Sequence, residues 1–348
     1  MTNDYRFEFR PYRRRFLRSL TTNHGKWDIR EGIILRLTNE SGKVSWGEIA
    51  PISRFGSETL EQALDFCRQL PEEITDEIIF SIPDELPACQ FGFESAWEQG
   101  SSTSATLSDQ GAGEQGSKGA EEKNLNLSSM LHSLRYSGLL PSGEAALNQW
   151  ETLWQQGYRT FKWKIGVDAI ADELKIFESL IHTLPAFTKL RLDANGGLSY
   201  EEANLWLRTC DNLKANSELP LEIEFIEQPL PVDRFQQMLE LSTSYETAIA
   251  LDESVATLGQ LAACYQQGWR GIFVIKPGIV GSPSRLRKFC HQYQIDTVFS
   301  SVFETAIARL AALQLAAELS QNNRAIGFGI DHFFEQEDMC FQSLWNDL

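Results

Sequence analysis

The chain has 348 residues, enough to bury one large core and a smaller one, and carries a formal net charge of −17, which argues against nucleic acid or an anionic membrane as a partner. No apolar run approaches the roughly 20 residues that cross a bilayer, and the N-terminal MTNDYRFEFRPYRRRF lacks the apolar stretch of a secretory signal. The six cysteines are scattered without a C-x-x-C pair and are expected to be reduced thiols in a cytoplasmic protein.

In chain order, IILRLTNESGKVSWGEIAPI (33–52) alternates like two strands about Asn39-Glu40-Ser41-Gly42, a hairpin signal. SETLEQALDFCRQL has helical periodicity, with Ser57 as the expected cap and Leu60, Ala63, Leu64 and Cys67 on one face. FGFESAWEQ reads as another helix. Together these predict an α+β capping domain over residues 1–99. Residues 100–123, GSSTSATLSDQGAGEQGSKGAEEK, offer almost nothing to bury, so 100–130 is expected to be a flexible insertion or linker.

A different rhythm follows. The apolar runs SGLLPSG, TFKWKIG, KLRLDANG, EIEFIEQPL, AIALDES, GIFVIKP, DTVFSS and AIGFGID alternate with stretches of helical spacing. From the second to the seventh, their C-terminal ends lie about 24 to 34 residues apart, the size of one βα unit. Eight such units predict an α/β fold of the TIM-barrel type over 131–330, with its active site where the strands' C-terminal ends meet. A doubly wound open sheet is the alternative, although no G-x-G-x-x-G follows any strand. The segment 331–348 is left as a C-terminal tail, with the capping domain as a candidate surface to receive it.

The strand ends carry the chemistry. Lys162 and Lys164 share one strand face, because alternate residues point the same way. The following strands end in Asp193 and Asn195, Glu227, Asp252-Glu253, and Lys276. Three carboxylates from successive strands repel one another unless a cation lies between them, and their oxygens suit a hard divalent ion, Mg2+ first. A metal and a second ammonium both lower a lysine's pKa towards that of a general base. The implied chemistry is proton abstraction next to a carboxylate of a small-molecule substrate. Ser300 and Ser301 are candidate donors to a substrate carboxylate. Among the histidines (His24, His132, His182, His291, His332) none pairs at metal-ligand spacing, and His332 is a candidate for the mouth. Residues 54–58, containing Gly56, are a candidate loop over the site.

These motifs, TFKWKIG, RLDANGG, FIEQPL, ALDES and VIKPG, resemble the enolase superfamily, muconate-lactonizing subgroup. REGIILRL, GKVSWGEIAPISRFGSETL and FGFESA are similar to its capping domain, which makes the barrel the (β/α)7β type. More narrowly, WGEIAP, LDAN, IEQPL and SSVFETAIARL resemble the o-succinylbenzoate synthase family. The resemblance implies a lyase of menaquinone or phylloquinone biosynthesis that dehydrates 2-succinyl-6-hydroxy-2,4-cyclohexadiene-1-carboxylate. It implies Asp193, Glu227 and Asp252 as ligands of Mg2+, with Mn2+ able to substitute. It implies Lys164 as base and then acid, and Lys276 facing it. Lys162 would depress the pKa of Lys164, and Asn195 would shape the substrate site. The rivals are an N-acylamino-acid racemase or dipeptide epimerase of the same superfamily. Dipeptide epimerases carry Asp-x-Asp near the eighth strand, where this chain has Asp331 followed by Phe333. A Schiff-base aldolase has no need of three carboxylates, and a non-catalytic barrel has no need of the motif set.

Overall fold

The computed structural model describes residues 3–22, 25–101, 131, 133–215, 221–330, 333–334 and 340–348. Nearly all of the expected insertion, with His24, His132, Asp331 and His332, lies outside the described residues.

The N-terminal block is an antiparallel sheet of four strands, β1 (Asp4–Thr22), β2 (Gly25–Asn39), β3 (Val44–Ile49) and β4 (Glu73–Thr75), in the order β3-β2-β1-β4. The β2–β3 hairpin forms as expected. Asn39 Oδ1 accepts from the backbone N–H groups of Ser41 and Lys43 at 3.0 and 2.9 Å, and Gly42 takes φ 81°. β1 was not among the expected elements. Tyr5 and Phe7 pack into the domain's own core, but past Pro11 the buried side chains are Tyr12 and Phe16 on the other face. A strand that switches its buried face has no single alternation to read.

The first helix spans Leu60–Gln69, and its cap is Thr59, not Ser57. Thr59 Oγ1 accepts from the Gln62 N–H at 3.1 Å while Gln62 Oε1 accepts from the Thr59 N–H at 2.8 Å. A capping box needs Gln or Glu three residues on, which Thr59 has and Ser57 lacks. Ser57 Oγ instead accepts from the Ile52 N–H at 2.7 Å.

The second sheet contains β5 (Tyr136–Leu140), β6 (Thr160–Lys164), β7 (Lys189–Asp193), β8 (Glu222–Glu227), β9 (Ile249–Leu251), β10 (Ile272–Ile275), β11 (Thr297–Phe299) and β12 (Ile326–Gly329). All pairings are parallel and sequential, β12 pairs with β5, and a parallel bridge from Ser300 to Gly327 closes the ring. Closure rules out the open doubly wound sheet. On β6, Phe161 and Trp163 face the helices, where Trp163 stacks on Phe177 at 6.4 Å, and Lys162 and Lys164 face the barrel interior.

Buried polar clamps join the two domains. Glu48 of β3 accepts from the Thr305 and Ala308 N–H groups at 3.0 and 3.2 Å, capping the barrel helix Ala306–Leu319. Arg30 of β2 donates to the Pro51 carbonyl at 3.0 Å and to the Val302 carbonyl at 2.9 Å. Helix Pro87–Ser101 lies between the sheet and the barrel, and a Cβ on Gly47 would meet the Gly92 carbonyl oxygen at 2.1 Å. The C-terminal helix Phe341–Asp347 packs on the same sheet, with Trp345 5.5 Å from Trp46 and Arg10 donating to the Trp345 carbonyl at 2.6 Å.

Candidate active site

Parallel register sets the strand ends side by side. Lys164 pairs with Asp193, and Asp193 pairs with Glu227. Lys162 Nζ donates to Asp193 Oδ2 at 2.8 Å and to Glu227 Oε1 at 2.7 Å. Lys276 Nζ pairs with Asp252 Oδ1. Lys164 Nζ donates to a neutral acceptor, Asn195 Oδ1, at 2.6 Å. Asn195 is held in the left-handed region at φ 43° by its own N–H donating to Asp193 Oδ1 at 3.0 Å, and its amide donates to Glu253 Oε1 at 3.1 Å.

The electrostatics divide the three lysines. Burial works against the Lys162 ammonium, but Asp193 and Glu227 outweigh it and hold its pKa well above the ordinary range. Burial pushes Lys164 below the ordinary value, and Lys162 adds to that against the pull of Asp193. Burial, with Asp193 and Asp252 nearby, pushes Glu227 up to about 8 despite Lys162. Burial also raises Asp252, with Glu253 adding against Lys276, and raises Glu253 with Asp193 adding. Asp193 is held low, because Lys162 outweighs its burial.

Among the described residues, no three His, Cys, Asp or Glu side chains are drawn together as a finished metal shell. Each of the three expected ligands faces an ammonium instead. The donor set nevertheless fits a hard divalent cation. Its groups are all carboxylates, three of four are pushed towards protonation by burial with neighbouring carboxylates adding, and buried Glu253 Oε2 has no hydrogen-bond partner.

Sequence reasoning passed over Gln228 here and reached Phe55 only as part of the 54–58 loop. Gln228, fully buried at φ 38°, accepts from the Asp252 and Ser254 N–H groups at 3.0 and 3.2 Å and so ties the end of β8 to that of β9. Its signal was its place after Glu227 in IEQP. Phe55, in the turn Ser53–Phe55, lays its ring 3.9 Å from Lys276 Nζ, which brings the 54–58 loop over the mouth. Ser300 lines the cavity, and a Cβ on Gly327 would meet its Oγ at 2.6 Å. Ser301 is engaged internally: its Oγ donates to Glu304 Oε2 and accepts from the Phe303 N–H, both at 2.8 Å.

The cavity above the lysines measures about 430 Å³. A larger one, about 900 Å³, opens at the opposite end of the barrel beside Arg159, Lys189 and Arg324. It lies away from every strand C-terminus, and Arg324 there is already bound to Glu224 and Asp296.

Comparison with known proteins fits this geometry. The family described as enolase C-terminal domain-like matches residues 145–344, and the one described as MenC, N-terminal domain, matches 15–99. The o-succinylbenzoate synthase of Thermosynechococcus vestitus is 40% identical over 94% of this chain and 93% of its own. The L-Ala-D/L-Glu epimerase of Bacillus subtilis is 25% identical over 82% of this chain and 77% of its own. The crystal structure of o-succinylbenzoate synthase from Thermosynechococcus elongatus BP-1, complexed with Mg in the active site, superposes with TM-score 0.82 at 37% identity, covering 99% of this chain and 100% of that one. Among the described residues, no helix is long and apolar enough to cross a membrane.

Proposed function

The chain belongs to the o-succinylbenzoate synthase family of the enolase superfamily and is a lyase, and from this we propose that it dehydrates 2-succinyl-6-hydroxy-2,4-cyclohexadiene-1-carboxylate to o-succinylbenzoate and water, as a step of menaquinone or phylloquinone biosynthesis. The observation that carries the reading is the division among the lysines. Lys162 and Lys276 are tied to carboxylates, while Lys164 rests on the neutral Asn195 amide with its pKa pushed down.

Lys164 Nζ takes the proton alpha to the ring carboxylate. The electron pair left behind is first delocalised onto the ring carboxylate, and its return to the ring then breaks the neighbouring C–O bond and makes the ring aromatic. The new Lys164 ammonium returns its proton to the departing hydroxide on the same face, so one group serves as base and then acid. Lys276 opposes it and balances negative charge as that charge develops. Asn195 fixes the Lys164 ammonium, and Lys162 holds Asp193 and Glu227 in place. Asp193, Glu227 and Asp252 would hold Mg2+, or Mn2+ in its place, which would supply positive charge to offset the negative charge that develops when the proton leaves. The Phe55 turn closes over Lys276 and limits water.

The test is an ultraviolet assay of the purified protein with the cyclohexadiene substrate and Mg2+, run beside an N-succinylamino acid. Aromatisation of the first at a rate well above racemisation of the second is expected. Racemisation alone would overturn the reading in favour of the racemase. Phe333, an aromatic wall residue where an epimerase would carry its second acid, favours the dehydration.

A further inference from the structure

The active-site cavity has two unlike halves. The inner half sets Lys162, Lys164 and Lys276 against Asp193, Asp252 and Glu253. The outer half is walled by Trp27, Phe303, Ile330 and Phe333, and among the described lining residues Arg54 is its one cation. The Arg54 guanidinium lies 4.4 Å from the centroid of the Trp27 ring, and Arg30 lies 5.5 Å from the same ring. Arg30 is already committed to the carbonyls of Glu31, Ala50, Pro51 and Val302. Arg54 has no carboxylate partner among the described residues; the charge beside it is a second guanidinium.

A guanidinium stacked on an indole beside a second guanidinium, with no carboxylate of the described protein on it, leaves its donors open to an anion from outside. The Arg54 side chain is exposed, but the backbone that carries it is fixed. The turn Ser53–Phe55 is closed by the Phe55 N–H donating to the Ile52 carbonyl at 2.9 Å, and Gly56 leaves it at φ 121°. Burial, then Arg30, lower the Arg54 pKa, consistent with an incompletely balanced charge.

We propose that Arg54 receives the remote carboxylate of a dicarboxylate substrate whose other carboxylate lies among the three lysines. The intervening methylenes then run along the Trp27 and Phe303 wall, and the planar guanidinium, already oriented by the stack, meets the carboxylate with two parallel donors. This rests on the dehydration reading and deepens it. Arg54 selects the dicarboxylate, and the lysines act on it.

Two ligands separate the roles: o-succinylbenzoate, and 2-butyrylbenzoate, in which a methyl group replaces the remote carboxylate. Inhibition constants for both are measured with the wild type, Arg54→Ala and Arg54→Lys in the presence of Mg2+, together with KM and kcat for the cyclohexadiene substrate. In Arg54→Ala, KM and the inhibition constant of o-succinylbenzoate should rise roughly tenfold to a hundredfold, with kcat within about threefold of wild type. Binding of 2-butyrylbenzoate should be unchanged in all three proteins, and Arg54→Lys should recover part of the loss. Equal weakening of both ligands would assign Arg54 to packing alone and overturn the proposal, as would no weakening of either. A wild type that fails to turn over the cyclohexadiene substrate overturns the dehydration reading instead, and the ratio of the two inhibition constants still decides the role of Arg54.

Discussion

The barrel buries charge at both ends, and the two ends handle it in opposite ways. At the floor, Arg191 donates to Glu224 at 2.7 Å, and Arg324 bridges Glu224 and Asp296, both at 2.7 Å. Every shift there favours the charged form. Burial works against Glu224, but Arg191 and Arg324 hold it low; Asp296 is held low against its burial mainly by Arg324, and Arg324 is raised by its bonds to Asp296. At the mouth, Lys162 is raised and Asp193 lowered by their pairing, but Glu227, Asp252 and Glu253 are pushed up and Lys164 down, towards neutrality. Arginines do not titrate, and here they hold both carboxylates ionised, although buried Arg191 Nη2 is left without a partner among the described residues. Lysines beside surplus carboxylates leave the mouth unbalanced, the condition under which binding a cation and a substrate releases the most free energy.

The largest effect should come from Lys164. Lys164→Ala is expected to lower kcat by about 10³-fold or more and to abolish exchange of the alpha proton with solvent deuterium, followed by NMR. Lys276→Arg keeps the charge but cannot act as a base, so substantial activity there supports the electrostatic role. A dead Lys276→Arg beside a working Lys164→Ala would reverse the two assignments.

Carboxamide substitutions compare mouth and floor directly. Glu224→Gln leaves buried Arg191 without a carboxylate and Arg324 with Asp296 alone, and should cost roughly 3 kcal/mol of stability, with kcat of the folded fraction preserved. Glu227→Gln resembles the protonated form that the site favours, so thermal stability in EDTA should hardly change while Mg2+ binding and turnover are lost. The pH dependences oppose each other. With its pKa pushed up to about 8 from 4.5, Glu227 contributes stability that is full below about 4.5 and lost as pH rises through 8. The Glu224 pKa is lowered, so its contribution is present above 4.5 and lost as pH falls below it. Melting curves in EDTA from pH 4 to 9 should show both limbs, and Glu227→Gln should flatten the upper one.

Smaller effects follow from the supporting residues. Lys162→Ala should retain part of the rate and shift the ascending limb of the pH–rate profile upward, because one cause of the low Lys164 pKa is gone. An unmoved limb would leave burial as the whole cause. Ser301→Ala should cost about 1 kcal/mol of stability through the lost bond to Glu304, with KM unchanged. A raised KM would return Ser301 to the substrate.

The eight-strand rhythm and the residues at the strand ends are legible from the amino-acid order alone. Both follow from short-range physics: a buried parallel strand needs a continuous apolar run, a βα unit has a fixed length, and Lys-x-Lys must share a face. The α+β character of the cap was legible for the same reason. Other features depend on what lies across space. β1 escaped notice because its buried face switches between the cap's own core and the barrel side, and the helix cap moved from Ser57 to Thr59 because Gln62 completes a reciprocal pair. Asp193, Glu227 and Asp252 stood out together as strand-end carboxylates, but only the folded arrangement shows that Lys162 and Lys276 occupy their oxygens and that Lys164 rests on an amide. Gln228, Phe55 and Arg54 gave no periodic signal, since each acts on an element distant in sequence or on a neighbouring strand end. Which lysine is free, and which cation waits for an anion, are properties of distances between strands and domains, and a linear spacing does not encode those distances.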